Sequence, residues 1–163
     1  MSTLKEHVEV ACPFHYLIHH VERYFTVHRR GRTPGTFTLT LDVAKIGLPA
    51  EIQAQHDVRM QYSIRKNAQP GDVIALTWDP DDRFLPSFDG ELHGEQLRPG
   101  AAKLVLAGRY DAPMGALGAV FDAVLGRRIA AATAAALLHD VKQFVESDYE
   151  MARTTSLASS PKE

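Results

Sequence analysis

Residues 113–150 read PMGALGAVFDAVLGRRIAAATAAALLHDVKQFVESDYE, and this stretch decides the fold. It is the longest helical pattern in the chain, and it comes last. Its apolar residues fall in two arcs. Leu117, Val120, Phe121, Val124 and Leu125 share one face at helical spacing. Ala130, Ala134, Leu137, Leu138, Val141, Phe144 and Val145 share another. At about 100° per residue the arcs are offset by roughly 120°. One straight helix cannot turn both to one core, so a kink or break is expected near Gly126, where helix propensity is weakest. The second arc lies on a run from Arg127 to Glu150, about 36 Å long at ~1.5 Å per residue. The small side chains at Ala130 and Ala134 either let backbones pack closely or leave room for a ligand. The uncharged run from Ile129 to Leu138 is far short of the roughly 20 residues of a membrane span.

Working back toward the N-terminus, the chain is a series of short alternating runs. Lys103 to Tyr110 turns Leu104, Leu106 and Tyr110 to one side, and Phe84 to His93 alternates through Phe88, Gly90 and Leu92. Val73 to Trp78 places Ile74, Leu76 and Trp78 together. The strongest pattern is Ala54 to Arg65, where Ala54, His56, Val58, Met60, Tyr62 and Ile64 alternate with polar residues. That is a sheet with one buried and one wet face, which favours antiparallel pairing. Thr36 to Val43 turns Phe37, Leu39, Leu41 and Val43 one way and threonines the other. Leu4 to Ala11 reads as a first strand, ended by Pro13, and Phe14 to Arg29 carries helical spacing through Phe14, Leu17, Ile18, Val21 and Phe25. The order is strand, helix, about five consecutive strands, long helix. The meander's apolar face needs a cover, and the terminal helix is the one long candidate. The fold class is α+β: an antiparallel sheet of about six strands against a long C-terminal helix. Residues 1–151 form one domain, and the polar, patternless residues 152–163 read as a disordered tail.

Composition sets the outer bounds. At 163 residues the chain can bury a real core, and 45% hydrophobic with 23% charged residues is that of a globular domain. A net charge of −2 gives no basic field for nucleic acid. The one cysteine, Cys12, cannot form an internal disulfide, which fits a reducing cytoplasm. No signal peptide is visible in MSTLKEHVEV.

Several strings, taken in order, resemble the START-like helix-grip superfamily, also called SRPBCC, which includes polyketide cyclases and lipid-transfer proteins. They are Trp78 followed by Phe84-Leu-Pro-Ser-Phe-Asp-Gly90, then Leu104-Val-Leu-Ala-Gly-Arg-Tyr110. Pro113, Gly115, Leu117 and Gly118 open the terminal helix, and Asp122, Gly126, Arg127 and Ala130 continue it. The likeness covers residues 3–150. It implies a curved sheet wrapped around the last helix, with a cavity between them for a hydrophobic or amphipathic small molecule. It does not fix the chemistry, since one fold hosts carriers and enzymes alike.

On that expectation the ligand-lining set is Phe37, Leu39, His56, Val58, Met60, Tyr62, Leu76, Trp78, Phe88, Leu106, Tyr110, Ala130, Ala134 and Leu137. His56 is the candidate catalytic residue. An imidazole on the buried side of a strand needs a partner, and it can orient a ligand's polar group or serve as a general base. The plain alternative is a satisfied histidine at the sheet's rim. The aromatic residues suit a flat apolar guest, or simply fill the core.

Other groups read as structural. His15 and His19, four apart with Glu22 a turn on, have metal-compatible spacing but no further ligands and no zinc-protease string. Asp79, Asp81 and Asp82 lack the pattern of a calcium loop. Gly115 and Gly118 are not part of a phosphate-loop string. Arg29, Arg30 and Arg32 form a solvated basic patch, Arg109 faces solvent, and no nucleophile elbow is present. No metal or cofactor is expected. The partner is a hydrophobic small molecule, and a packed interaction module that holds nothing is the third reading.

Overall fold

The computed structural model describes residues 2–27, 35–42, 55–66, 71–79, 86–111 and 123–158. Six strands and two helices follow in the order β1 (Ser2–Val10), α1 (Phe14–Val27), β2 (Thr36–Asp42), β3 (Gln55–Arg65), β4 (Val73–Trp78), β5 (Ser87–Arg98), β6 (Ala101–Asp111) and α2 (Ala123–Ala158). The strands form one antiparallel sheet in the order β1-β6-β5-β4-β3-β2. Strands β2 to β6 are the expected meander, and β1 closes against β6.

Alternation sorts the residues into two faces. Leu4 and Val10, Phe37 and Leu39, Val58 and Met60, Ile74, Leu76 and Trp78, Phe88 and Leu92, and Leu104, Leu106 and Tyr110 all lie buried on the inner face. Both helices cover that face. α1 starts where the Pro13 carbonyl accepts the first helical bonds, from the Tyr16 and Leu17 N–H groups. Its buried stripe is Leu17, His20, Val21, Tyr24 and Phe25, the spacing of one helical face. α2 packs along β1 and across α1. It buries Ile129, Ala130, Thr133, Ala134, Leu137, Leu138, Val141, Val145 and Asp148.

The direction of α2 follows from two bonds. Lys142 Nζ donates to the Glu9 carbonyl at 2.6 Å, and the Ala11 N–H donates to Glu146 Oε1 at 2.8 Å. The second half of α2 is thus fixed at the end of β1. Its first half lies toward the start of β1, where Ser2 pairs with Tyr110.

Three expectations need correction or limits. The helix runs unbroken through Gly126, which is buried, while Val124 of the first arc is 55% exposed. One glycine costs a helix only about 1 kcal/mol against alanine, too little to interrupt a well-packed rod. Leu117, Val120 and Phe121 lie outside the described residues. Residues 152–158, expected to be a disordered tail, continue α2 as helix with every residue exposed. Propagation from an existing helix costs little. Arg153 pairs with Glu150 at 2.8 Å, and Thr154 and Thr155 donate to the Glu150 and Met151 carbonyls. β5 runs past His93 to Arg98, carried by pairing with β6 to the tight turn at Pro99 and Gly100, where Gly100 takes φ 82°. Among the described residues no helix is long and apolar enough to cross a membrane.

Candidate functional site

The two ends of the inner face differ in how they are filled. At one end α1 supplies large rings. Phe25 packs on Phe37 and Tyr62, with centroids 5.1 and 4.9 Å apart, and Tyr24 packs on Phe37 and on Phe144 of α2. Tyr62 Oη donates to the Phe25 carbonyl at 3.1 Å.

From Phe37 one row crosses the sheet away from those rings: Phe37, Met60, Trp78, Phe88 and Tyr110 are successive register partners on β2 to β6. The rings of Trp78 and Phe88 stack at 4.1 Å and 15°. Beneath Phe88 lie Gly90 and Gly108, directly opposite each other on β5 and β6. A Cβ built at Gly90 would fall 2.5 Å from Phe88 Cζ and 2.4 Å from the Ala107 carbonyl oxygen, and one at Gly108 would meet Phe88 Cζ at 2.7 Å. The glycine pair is what lets the ring lie flat on the backbone, because any side chain there would lift it. Since α2 runs back along β1, its first half, with Ala130 and Ala134, lies toward this row.

Polar groups on the inner side are mostly spoken for. Trp78 Nε1 donates to the Pro86 carbonyl at 3.0 Å, and Thr133 Oγ1 to the Ile129 carbonyl at 2.9 Å. Tyr110 is 6% exposed. His56 occupies β3 opposite Leu41, next to the strand's first residue. Its side chain is outside the described ones. Of the other expected lining residues, Phe37, Leu39, Val58, Met60, Leu76, Trp78, Phe88, Leu106, Tyr110, Ala130, Ala134 and Leu137 share one buried cluster, and Tyr62 packs against it half-buried.

The sequence reading missed a second constellation, between the helices. His20 Nδ1–H donates to Asp148 Oδ2 at 2.6 Å, Arg23 Nε approaches the same oxygen at 3.1 Å, and all but Arg23 are buried. One turn on, Tyr24 Oη donates to Asp140 Oδ2 at 2.6 Å. Burial first, and the Asp140 carboxylate second, push the Tyr24 phenol far above its ordinary range, so it stays neutral. These pairs pin α1 to α2. His20 and Tyr24 fall on the same helical stripe as Leu17 and Val21, a signal that was there to read; their partners 128 and 116 residues away were not.

Cys12 is fully buried, and burial, then the nearby Glu146 carboxylate, pushes its thiol up to about 11. His15 and His19 are exposed, and no three His, Cys, Asp or Glu side chains converge among the described residues. Arg109 is exposed on the outer face, in a polar concavity of about 570 Å³ that it shares with Arg59, Asp89 and Asp111. Charges of both signs on a regular sheet surface make that a solvated trough. A smaller hollow of about 210 Å³ lies between the start of α1 and β4–β5, lined by Phe14, Leu17, Ile18 and Gly94. Asp79 is exposed; Asp81, Asp82, Arg29, Arg30, Arg32, Gly115 and Gly118 lie outside the described residues.

No family model matches the chain. No curated protein sequence matches it. Solved structures do. The Zhui aromatase/cyclase from Streptomyces sp. R1128 superposes with a TM-score of 0.59 at 16% identity, over 91% of this chain and 93% of that one. Norcoclaurine synthase from Thalictrum flavum gives 0.54 at 12% identity, over 90% and 95%. The di-domain ARO/CYC BexL from the BE-7585A biosynthetic pathway gives 0.53 at 16% identity, over 90% of this chain and 47% of that one. With six antiparallel strands laid against a long last helix, the chain has the START-like helix-grip fold.

Proposed function

We propose that the protein binds a hydrophobic or amphipathic small molecule between the inner face of the sheet and the first half of α2. The observation that carries this reading is the Met60–Trp78–Phe88–Tyr110 row. Its aromatic stack lies flat on a glycine pair, on the face toward which the alanine-rich first half of α2 runs. Flat rings and small residues present a broad apolar surface at little conformational cost. Tyr110 adds one hydroxyl to this otherwise apolar row, a group that can orient a polar end of the guest.

Trp78 is the chain's sole tryptophan, so its emission reports on this site alone. Titration with oleate, an amphipathic chain, and emodin, a flat polyphenol, is expected to change Trp78 emission saturably for at least one of them. Phe88→Ala, which removes the stack, is expected to weaken that response. Native mass spectrometry of the chain should show a species heavier than 18.0 kDa that releases a small molecule on denaturation. An unliganded mass together with flat titrations for both probes would refute the proposal.

A second reading uses the same place for chemistry. The likeness to an aromatase/cyclase favours a cyclase- or dehydrase-type acid/base role for His56 or for a tyrosine, of which Tyr110 lies in the row. Tyr110→Phe with binding intact and turnover of a poly-β-ketone lost would support it. Equal turnover by the wild type and by both Tyr110→Phe and His56→Ala would reject it.

A further inference from the structure

We propose that Thr133 sets the specificity of the guest site, and that the guest it selects presents a hydroxyl group; this rests on the binding role proposed for that site. Thr133 interrupts an alanine run, with Ala130 to Ala132 before it and Ala134 to Ala136 after it. It belongs to the buried stripe of α2 with Ile129, Ala130 and Leu137, and is 1% exposed.

Its position along the sheet follows from the bond that fixes the helix. Lys142 holds α2 at the Glu9 carbonyl of β1. Thr133 stands nine residues earlier. That is about 13 Å at ~1.5 Å per helical residue, or about four strand residues at ~3.3 Å each. Counting back from Glu9 along β1 gives Lys5, whose β6 partner is Ala107, and beside it Leu4 opposite Gly108. Thr133 is therefore about level with the glycine pair on which the Phe88 ring lies.

Neither the helix nor the packing accounts for a threonine at this place. Threonine is a poorer helix former than the alanines around it, and valine would fill the same space without a hydroxyl. The Thr133 hydroxyl gives its hydrogen to the Ile129 carbonyl at 2.9 Å. A hydroxyl has one hydrogen to donate and two lone pairs to accept with. With the hydrogen committed to its own helix, what Thr133 offers a guest is an acceptor. An acceptor in an apolar wall bonds a guest's O–H group and gains nothing from the same group capped by a methyl.

Calorimetric titration of the whole chain with emodin, with its fully O-methylated ether and with oleate tests this. The wild type is expected to bind emodin about three- to tenfold more tightly than the ether, the range of one net hydrogen bond. Thr133→Val is expected to abolish that preference by weakening emodin alone, and Thr133→Ser, which keeps the hydroxyl, to retain it. A merely structural threonine would move both ligands alike or neither. Three results overturn the inference and leave the binding site standing: equal wild-type affinity for emodin and the ether, a preference that survives Thr133→Val, or oleate bound where emodin is not. Failure of all three ligands to bind overturns both.

Discussion

Cys12 shows how much one side chain's surroundings can set. A thiol titrating at about 11 is on the order of one part in a thousand thiolate at pH 8, against about one in ten for a free one. Native protein is therefore expected to react with Ellman's reagent only after urea unfolding, and rapid labelling of the native state would contradict the burial. The stability consequence has a definite sign. The folded-state value lies above the unfolded one, so the thiol's contribution is whole below about 9 and is lost as pH rises through about 11. Tyr24, likewise raised, acts in the same direction above its ordinary value of 10.0. Urea midpoints should thus fall at alkaline pH, and Cys12→Ala should flatten part of that fall. The burial of Cys12 was legible from its place beside Pro13 at the end of an apolar run. The His20–Asp148 and Tyr24–Asp140 pairs were not, because nothing local says which carboxylate on a distant helix will arrive.

At the scale of elements, periodicity carried most of the reading. Ala54 to Arg65 declared its two faces because a strand's period of two leaves no other arrangement with one wet side. The helices were legible as rods, but their ends were set by packing and by neighbouring turns, and so α2 outran its expected end at Glu150 by about two turns. The glycines of β5 were invisible in function. Gly90 and Gly94 look alike in sequence, yet a Cβ at Gly90 meets the Ala107 carbonyl at 2.4 Å, whereas one at Gly94 meets Leu17 Cδ2 at 2.7 Å. A leucine methyl can rotate away, and a paired backbone cannot. Gly90→Ala is therefore expected to cost the larger part of the about 1–3 kcal/mol typical of overpacking, and Gly94→Ala the smaller. Urea denaturation of both variants checks the order. Equal midpoints would mean that the sheet relaxes at Gly90 as readily as a side chain does.

For the whole molecule, the order of elements and the demand for a cover over the meander sufficed to expect the last helix on the sheet's apolar face; the grip itself came from the family resemblance. What the order could not say is whether the gripped space is solid or yields to a guest, because Ala130 and Ala134 fit both. Both are fully buried, so a guest would have to part α2 from the aromatic row. One end of the molecule resists such parting: α1 ties α2 down there through His20–Asp148 and Tyr24–Asp140, and the Phe25–Phe37–Tyr62 rings fill the gap. No such tie joins the first half of α2 to the row among the described residues, and apolar contacts there can separate without stranding a buried polar group. Ala134→Phe probes this directly, with the exposed Ala135→Phe as its control. A yielding interface is expected to accept the phenyl ring with a melting point lowered by no more than about 4 °C, roughly 1 kcal/mol for a chain of this size, while the ring takes the guest's place and silences the Trp78 response. Ala135→Phe should keep both. A guest still bound with full affinity by Ala134→Phe would place it elsewhere in the molecule, and a variant that loses several kcal/mol would show an interior as rigid at the aromatic end as it is under α1.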